Sequence, residues 1–251
     1  TKHLRSQGAM RAVISTELPA EEAIQAAKDS PSMVGMDYVE EVSTPEDYHW
    51  DGESRLWTIP SVTTNQETNY INLPEAKYRI VAYDFGVKYN ILRSLRQSGF
   101  EIEVVNSRTP ASDVLAKKPD GIFLSNGPGD PAALTYIHDE VKQLIGKKPI
   151  FGICLGHQIL THCFGGKTFK LKFGHRGGNH PVKDLRTGQI AITAQNHGFA
   201  TDDESLPDYT EVTHINLNDQ TVEGVRSTKD PVFSVQHHPE AAPGPNDAKN
   251  F

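Results

Sequence analysis

The sequence predicts an α/β fold with a mostly parallel central sheet, flanking helices and a β-rich second half. A remnant of a smaller N-terminal domain is expected to precede it. Three observations predict this architecture. Between Tyr78 and Gly166, short apolar runs alternate with helical stretches, and that rhythm calls for parallel strands joined by crossover helices. Beyond Lys167 the helical pattern stops and only strand-like runs follow. Glycines close the runs at strand and helix ends, as at Gly86 and Gly99.

The elements follow in order. "ELPAEEAIQAAKDS" predicts a helix, with Ser15 or Thr16 as cap, acids in the first turn and Ala/Ile at helical spacing. Residues 1–35 are assigned to the C-terminal remnant of the N-terminal domain, of which residues 1–30 read as a helical hairpin-like piece. Residues 36–76 are polar and turn-rich, and they read as a connecting segment with one hairpin. From 77 to 251 runs the main domain. It comprises "YRIVAYDFG", the helix "KYNILRSLRQSGF", "EIEVVN", the helix "ASDVLAKK", "DGIFL", the helix "LTYIHDEVKQLIGKK", "PIFGIC" and the helix "HQILTHCF". Five strand-like runs then complete it: "KTFKLKFG", "QIAITAQN", "EVTHINLN", "TVEGVRS" and "PVFSVQ". In such a sheet, active residues are expected at the carboxyl ends of the parallel strands.

Composition narrows the function. A formal charge of −7 with no Lys/Arg-rich block argues against polyanion binding. No apolar run approaches the ~20 residues of a membrane span, and the N-terminus lacks the apolar core of a signal peptide. The chain opens without an initiator Met in what reads as mid-helix, so a piece of a longer chain is expected. Two cysteines cannot build a disulfide framework for 251 residues, which points to a reducing, cytoplasmic compartment.

One of those cysteines stands apart. Gly152-Ile153-Cys154-Leu155-Gly156 places a thiol between glycines, with a strand before it and a helix after. A sharp strand-to-helix corner needs small residues on both sides, and the following helix N-terminus favours a thiolate. Cys154 is therefore the candidate nucleophile. Cys163 has no glycine bracket and reads as an inert helix residue. A thiolate nucleophile needs a base and a group that orients the base. "VFSVQHHPEAAPGP" offers His238 and Glu240, two residues apart and so on one side of an extended segment. The adjacent His237 faces the other way.

Other loops complete a candidate site. "LSNGPGDP" follows a strand and frees backbone N–H groups at Gly127 and Gly129, as an oxyanion or phosphate cradle would. "AQNHGFA" puts Asn196, His197 and Phe199 at another strand end. "GGKT" at Gly165–Thr168 follows a helix and lacks the leading glycine of a phosphate-binding loop. His157 and His162 are five apart on different helix faces, and no metal is expected.

"FGICLGHQ", "SNGPGDP", "AQNHGFA" and "HPEAAPGP" together resemble the class I (triad) glutamine amidotransferases. "FGHRGGNHPV" narrows the resemblance to the family of small, glutamine-hydrolysing subunits of carbamoyl-phosphate synthetase. The resemblance extends over essentially the whole chain, including "VAYDFGVKYNILR" and "GMDYVEEVST". It implies glutamine hydrolysis, with ammonia passed to a large synthetase subunit that makes carbamoyl phosphate for pyrimidine and arginine synthesis. It implies Cys154 as nucleophile, His238 as acid/base and Glu240 as its orienting partner. Glutamine contacts are implied at Gly127, Gly129, Leu155, Gln158, Asn196, Gly198 and Phe199. No cofactor is expected on this chain, and ATP and Mg2+ are expected on the partner subunit. The chain departs from the family pattern at His237, where Gly or an aromatic is expected. A β-rich N-terminal domain, with a glutamine-contacting Ser, has no counterpart in this sequence.

Three other readings compete at this point, one of them a plain cysteine hydrolase that rests on the Cys154 elbow alone and would need an open cleft and no partner. The chain could serve another triad amidotransferase, such as those of GMP or anthranilate synthesis. It could also be a non-catalytic subunit that kept the fold, a reading that the Cys154/His238/Glu240 set disfavours.

Overall fold

The computed structural model describes residues 2–50, 55–57 and 70–248. In chain order the N-terminal elements are α1 (Lys2–Gln7), α2 (Ala20–Asp29), α3 (Val39–Val42), β1 (Tyr48–His49), β2 (Arg55–Trp57) and β3 (Tyr70–Asn72). The alternating region comprises β4 (Tyr78–Asp84), α4 (Tyr89–Gln97), β5 (Phe100–Asn106), α5 (Ala111–Ala116), β6 (Gly121–Leu124), α6 (Thr135–Leu144), β7 (Ile150–Ile153) and α7 (Leu155–Cys163). The strand-rich remainder is β8 (Lys167–Asp184), β9 (Ile190–Asp202), β10 (Thr210–Asn216), β11 (Val222–Ser227) and β12 (Val232–Val235).

A ten-stranded mixed sheet runs in the order β1-β5-β4-β6-β7-β12-β11-β10-β8-β9. Its centre, from β5 through β4, β6 and β7 to β12, is parallel, and β11, β10, β8 and β9 extend it antiparallel. The expected α/β architecture with a β-rich second half is what forms. Successive side chains of a strand point to opposite faces, so β4 feeds two cores. Val81 and Tyr83 pack on one face with Ile122, Leu124, Val141 and Ile159, under α5, α6 and α7. Ile80 and Ala82 pack on the other with Phe123 and with Ile91, Leu92 and Leu95 of α4. Each fully buried aliphatic side chain contributes roughly 1.5–3 kcal/mol, so these two cores hold the sheet rigid beneath its loops.

Because β4, β6, β7 and β12 are neighbours and parallel, their carboxyl ends emerge side by side. Those ends carry Asp84–Lys88, Ser125–Gly129, Cys154 and Gln236–His238. An isolated antiparallel bridge between Ala194 and His238 ties the last of these to β9.

The N-terminal third differs from expectation in detail. Ser15 does not cap α2: its hydroxyl accepts from the Glu17 and Leu18 amides, and Pro19 stands at the N-cap position. The helix starts only at Ala20, because an upstream serine turn and Pro19 occupy the residues before it. Within residues 36–76, β2 pairs antiparallel with β3, while residues 51–54 and 58–69 lie outside the described residues. Other parts of that segment pack on the sheet. β1 pairs with β5, and Val39 is fully buried in the core. Further upstream, Ala9 donates its amide to Lys172 of β8, and Gly35 donates to the Asp130 carboxylate.

Candidate active site

The corner after β7 is strained in the way its sequence requires. Cys154 sits at φ 55°, ψ −101°, a conformation that costs a residue with a side chain about 1–3 kcal/mol. A Cβ on Gly152 would lie 2.7 Å from the Gly156 carbonyl carbon, and one on Gly156 would meet the Leu124 carbonyl. Both glycines are therefore steric requirements of the turn. The helix that follows begins at Leu155, two residues earlier than the sequence pattern indicates. Leu155 is its first residue, so the Leu155 N–H has no partner within the helix.

Cys154 is 4 % exposed, and its Sγ lies 3.9 Å from the Asn196 carbonyl oxygen. His238 faces the sulfur. Its Nδ1 lies 2.8 Å from Glu240 Oε1, which leaves Nε2 as the ring nitrogen available to the thiol. Burial pulls the His238 pKa down, but Cys154 and Glu240 outweigh it and hold the imidazole up at about 10. Glu240 is completely buried. Burial raises its pKa, yet His238 and then Lys88 draw it below the usual carboxylate range. Lys88 Nζ lies 2.8 Å from the same Oε1 and donates to the Ala241 carbonyl, while Asn90 Nδ2 donates to the Glu240 carbonyl. Carboxylate, imidazole and ammonium thus form one hydrogen-bonded row behind the sulfur.

A cleft of about 1730 Å³ opens above this row. Cys154, His238, Gly127, Gly129, Gln158, Asn196, Gly198 and Phe199 all line it. The structure thereby brings together most of the residues singled out in the sequence. Leu155 differs, because its side chain is buried and only its N–H can serve. The loop glycines fit tightly: a Cβ on Gly127 would strike the Phe85 carbonyl, and Gly129 adopts φ 98° beside the Met36 carbonyl. Gln158 Nε2 donates to the Phe199 carbonyl and to Gln236 Oε1, tying α7 to β9 and β12. Cys163 lies apart, donating to the His138 carbonyl, and burial pushes its thiol up to about 12.

The family model described as glutamine amidotransferase class-I matches residues 81–251. The chain belongs to this family. Among curated relatives, the carbamoyl phosphate synthase small chain of Akkermansia muciniphila is 59% identical over 98% of this chain and 63% of its own length. The chloroplastic carbamoyl phosphate synthase small chain of Arabidopsis thaliana is 47% identical, over 100% of this chain and 56% of its own. The chain thus spans less than two thirds of the length of these relatives. Among solved structures, a putative GMP synthase component from Thermoplasma acidophilum shares the fold. Its TM-score is 0.58 at 23% identity, over 66% of this chain and 85% of that one.

Sequence reasoning missed part of this amidotransferase site. Lys88 and Asn90 come from "KYNILR", read only as a helix, although their place after a strand-ending glycine was a usable signal. A buried polar cluster behind the site was also missed. Glu223, fully buried, accepts from Gln195 Nε2 at 2.8 Å and Asn216 Nδ2 at 3.0 Å, and pairs with His175 Nδ1 at 3.4 Å. Burial raises the Glu223 pKa, but His175, then His197, His237 and Gln195 bring it to about 2. His175 also bonds Asp219, and its pKa is raised because these two carboxylates outweigh burial. His175, His197 and Glu223 place donor atoms within 4.8 Å of one another, the one such group among the described residues. His197 Nδ1 donates to the Phe199 carbonyl, and burial lowers its pKa to about 4. His237 turns away from the triad as expected, toward Glu223, and burial lowers it to about 4.

Proposed function

We propose that this chain is the glutamine-hydrolysing part of carbamoyl-phosphate synthetase, working through a Cys154–His238–Glu240 triad. One observation carries the chemistry: a strained, glycine-bracketed thiol faces a histidine that a buried carboxylate holds in place. The choice of assembly is supported by the name that the curated relatives share.

The Cys154 sulfur attacks the side-chain carboxamide carbon of glutamine. The Leu155 N–H and an N–H of the Gly127–Gly129 loop receive the developing oxyanion, each such donor contributing about 2.7–4 kcal/mol. His238, protonated, gives its proton to the departing ammonia and leaves a thioester. It then takes a proton from the water that cleaves that thioester, which releases glutamate. Glu240 fixes the proton on Nδ1 and stabilises the imidazolium. Gln158, Asn196, Gly198 and Phe199 hold the glutamine.

The ammonia passes to a large synthetase subunit. There ATP and Mg2+ activate bicarbonate, and the product, carbamoyl phosphate, feeds pyrimidine and arginine synthesis. The proposed setting is the cytoplasm; among the described residues no helix is long and apolar enough to cross a membrane.

The test uses the full-length chain with its large subunit. Cys154→Ala is expected to abolish glutamine-dependent carbamoyl phosphate formation and to spare formation from added ammonia. Unchanged glutamine use in that variant would favour a non-catalytic subunit instead.

A further inference from the structure

Behind the cleft, three strands bring together polar atoms that the hydrolytic steps do not use. His175 of β8, Gln195 and His197 of β9 and Glu223 of β11 are each at most 7 % exposed. Each imidazole directs one N–H away from the others. His175 Nε2 donates to Asp219 Oδ2 at 2.8 Å, and His197 Nδ1 donates to the Phe199 carbonyl at 2.7 Å. The remaining ring nitrogens, His175 Nδ1 and His197 Nε2, face each other at 3.2 Å. Glu223 Oε1 lies 3.4 Å from the first, and Gln195 Oε1 lies 3.0 Å from the second. The Gln195 amide cannot be turned about. Its nitrogen donates to Glu223 Oε2 at 2.8 Å, where the reversed amide would press its oxygen against the carboxylate.

Four potential ligand atoms therefore converge on one spot. A proton on the line between the two rings serves the two nitrogens alone, and leaves Gln195 Oε1 against the His197 Nε2 lone pair. A metal ion serves all four. Zinc bonds of roughly 2.0–2.2 Å to nitrogen and oxygen set neighbouring donors of a tetrahedral site roughly 3.3–3.6 Å apart. The observed separations of 3.0, 3.2 and 3.4 Å lie close to that spacing. The outer partners match as well. A ligating histidine holds its second N–H on a carboxylate or a backbone carbonyl, as Asp219 and Phe199 provide here. Asn216 Nδ2, 3.0 Å from Glu223 Oε1, steadies the carboxylate in the same way. Glu223 and Asp219 together carry two negative charges, which balance a divalent cation. Asp219, with its side chain 41 % exposed, gives the way in.

We propose that His175, His197, Glu223 and the Gln195 amide oxygen form a binding site for a divalent metal ion of the Zn2+ class. Two imidazoles with oxygen donors suit Zn2+, Co2+ or Ni2+ better than Mg2+ or Ca2+. In the metal-free protein a proton on His175 holds the positive charge, and binding releases it. The ion joins β8, β9 and β11, and it clamps β9 on both sides of Asn196, whose carbonyl lies beside the Cys154 sulfur. Four protein ligands close the site, as in structural metal centres, so the ion steadies this strand and takes no part in hydrolysis. The proposal stands independently of the glutamine reading.

The test uses the full-length chain carrying Cys154→Ala, which removes the reactive thiol as a competing ligand. The protein is stripped with a chelator, incubated with Zn2+ or Co2+ alone, desalted and assayed for bound metal. Retention of one Zn2+ per chain is expected. The Co2+ form should show the ligand-field absorption of a four-coordinate nitrogen and oxygen site, without a thiolate charge-transfer band. Asp219→Asn, a change at a half-exposed side chain that spares the core, should weaken Zn2+ binding about 10–100-fold. His175→Gln should abolish it. His162→Gln, at a histidine outside the cluster, should bind as the parent does. A parent chain that retains no Zn2+ after incubation with excess metal would overturn the proposal. So would a folded Asp219→Asn chain, checked by circular dichroism, that binds Zn2+ as tightly as the parent.

Discussion

Lys88 Nζ lies 2.8 Å from Glu240 Oε1, the same oxygen that His238 Nδ1 approaches to 2.8 Å. A fully buried carboxylate thus serves two cationic partners from one atom. Lys88→Met removes one of them and leaves His238 as the main compensation for the buried charge. Loss of about 1–3 kcal/mol of stability is expected, measured by urea unfolding at neutral pH. The pH dependence has a definite sign. The Glu240 pKa is depressed in the folded state, so its contribution is present above the ordinary carboxylate value and is lost as pH falls through the lower folded one. Without Lys88 the folded value rises toward the ordinary one, so the acid-dependent loss of stability should be smaller in the variant and complete at a higher pH than in the wild type. Glutamine turnover should fall by about tenfold or more, since the carboxylate that orients His238 is no longer anchored.

His238 makes the opposite prediction. Its pKa is raised to about 10 from an ordinary value of 6.5. Its contribution to stability is fully present below about pH 6.5 and is lost as pH rises toward 10. Unfolding measured from pH 6 to pH 10 should show a decline in the wild type, and His238→Gln should flatten it. An equally steep decline in the variant would mean that other groups carry it.

How far these groups could be seen in the sequence depends on the range of the contacts that join them. The parallel half was legible because each strand and its helix are local, as with β4, α4 and the stop at Gly99, which adopts φ 88°. Cys154, His238 and Glu240 were legible because the glycine bracket and the two-residue spacing are local as well. The sequence pattern ends one strand at Gly174 and the next at Asn196, yet β8 continues to Asp184 and β9 to Asp202. Gly174 and Gly177, with positive φ, lie at or beside register shifts inside β8 rather than at its end. That continuation sets His175 opposite His197 and Gly177 opposite Gln195, pairings no local pattern could announce. Lys88 was missed for the same reason, being 152 residues from the carboxylate it pairs with.

The glycine bracket should tolerate almost nothing. Gly156→Ala drives a methyl into the Leu124 carbonyl, and Gly152→Ala places one 2.7 Å from the Gly156 carbonyl carbon. Each is expected to cost about 3 kcal/mol or more, seen as a lowered urea midpoint or failure to accumulate folded protein. Gly165→Ala provides the contrast. It faces open space and bears only the strain of φ 93°, so a loss nearer 1 kcal/mol is expected.

Glu223 gives a prediction away from the sulfur. It is fully buried, with a pKa lowered to about 2 chiefly through His175 against the cost of burial. Glu223→Gln leaves His175 with Asp219 as its one remaining carboxylate partner, and a cost of about 3–5 kcal/mol is expected. In the wild type this contribution is fully present above about pH 4.5 and is lost progressively as pH falls from there toward 2, so the gap between the two proteins should narrow across that range.

The central claim is that Cys154 is the reactive centre of a glutamine pocket. The most direct measurement is labelling by the glutamine chloroketone, mapped by mass spectrometry with and without excess glutamine. The geometry predicts fast modification of Cys154, suppression by glutamine, and no modification of Cys163, whose half-buried thiol is held up at about 12. Equal modification of both cysteines, indifferent to glutamine, would contradict the account.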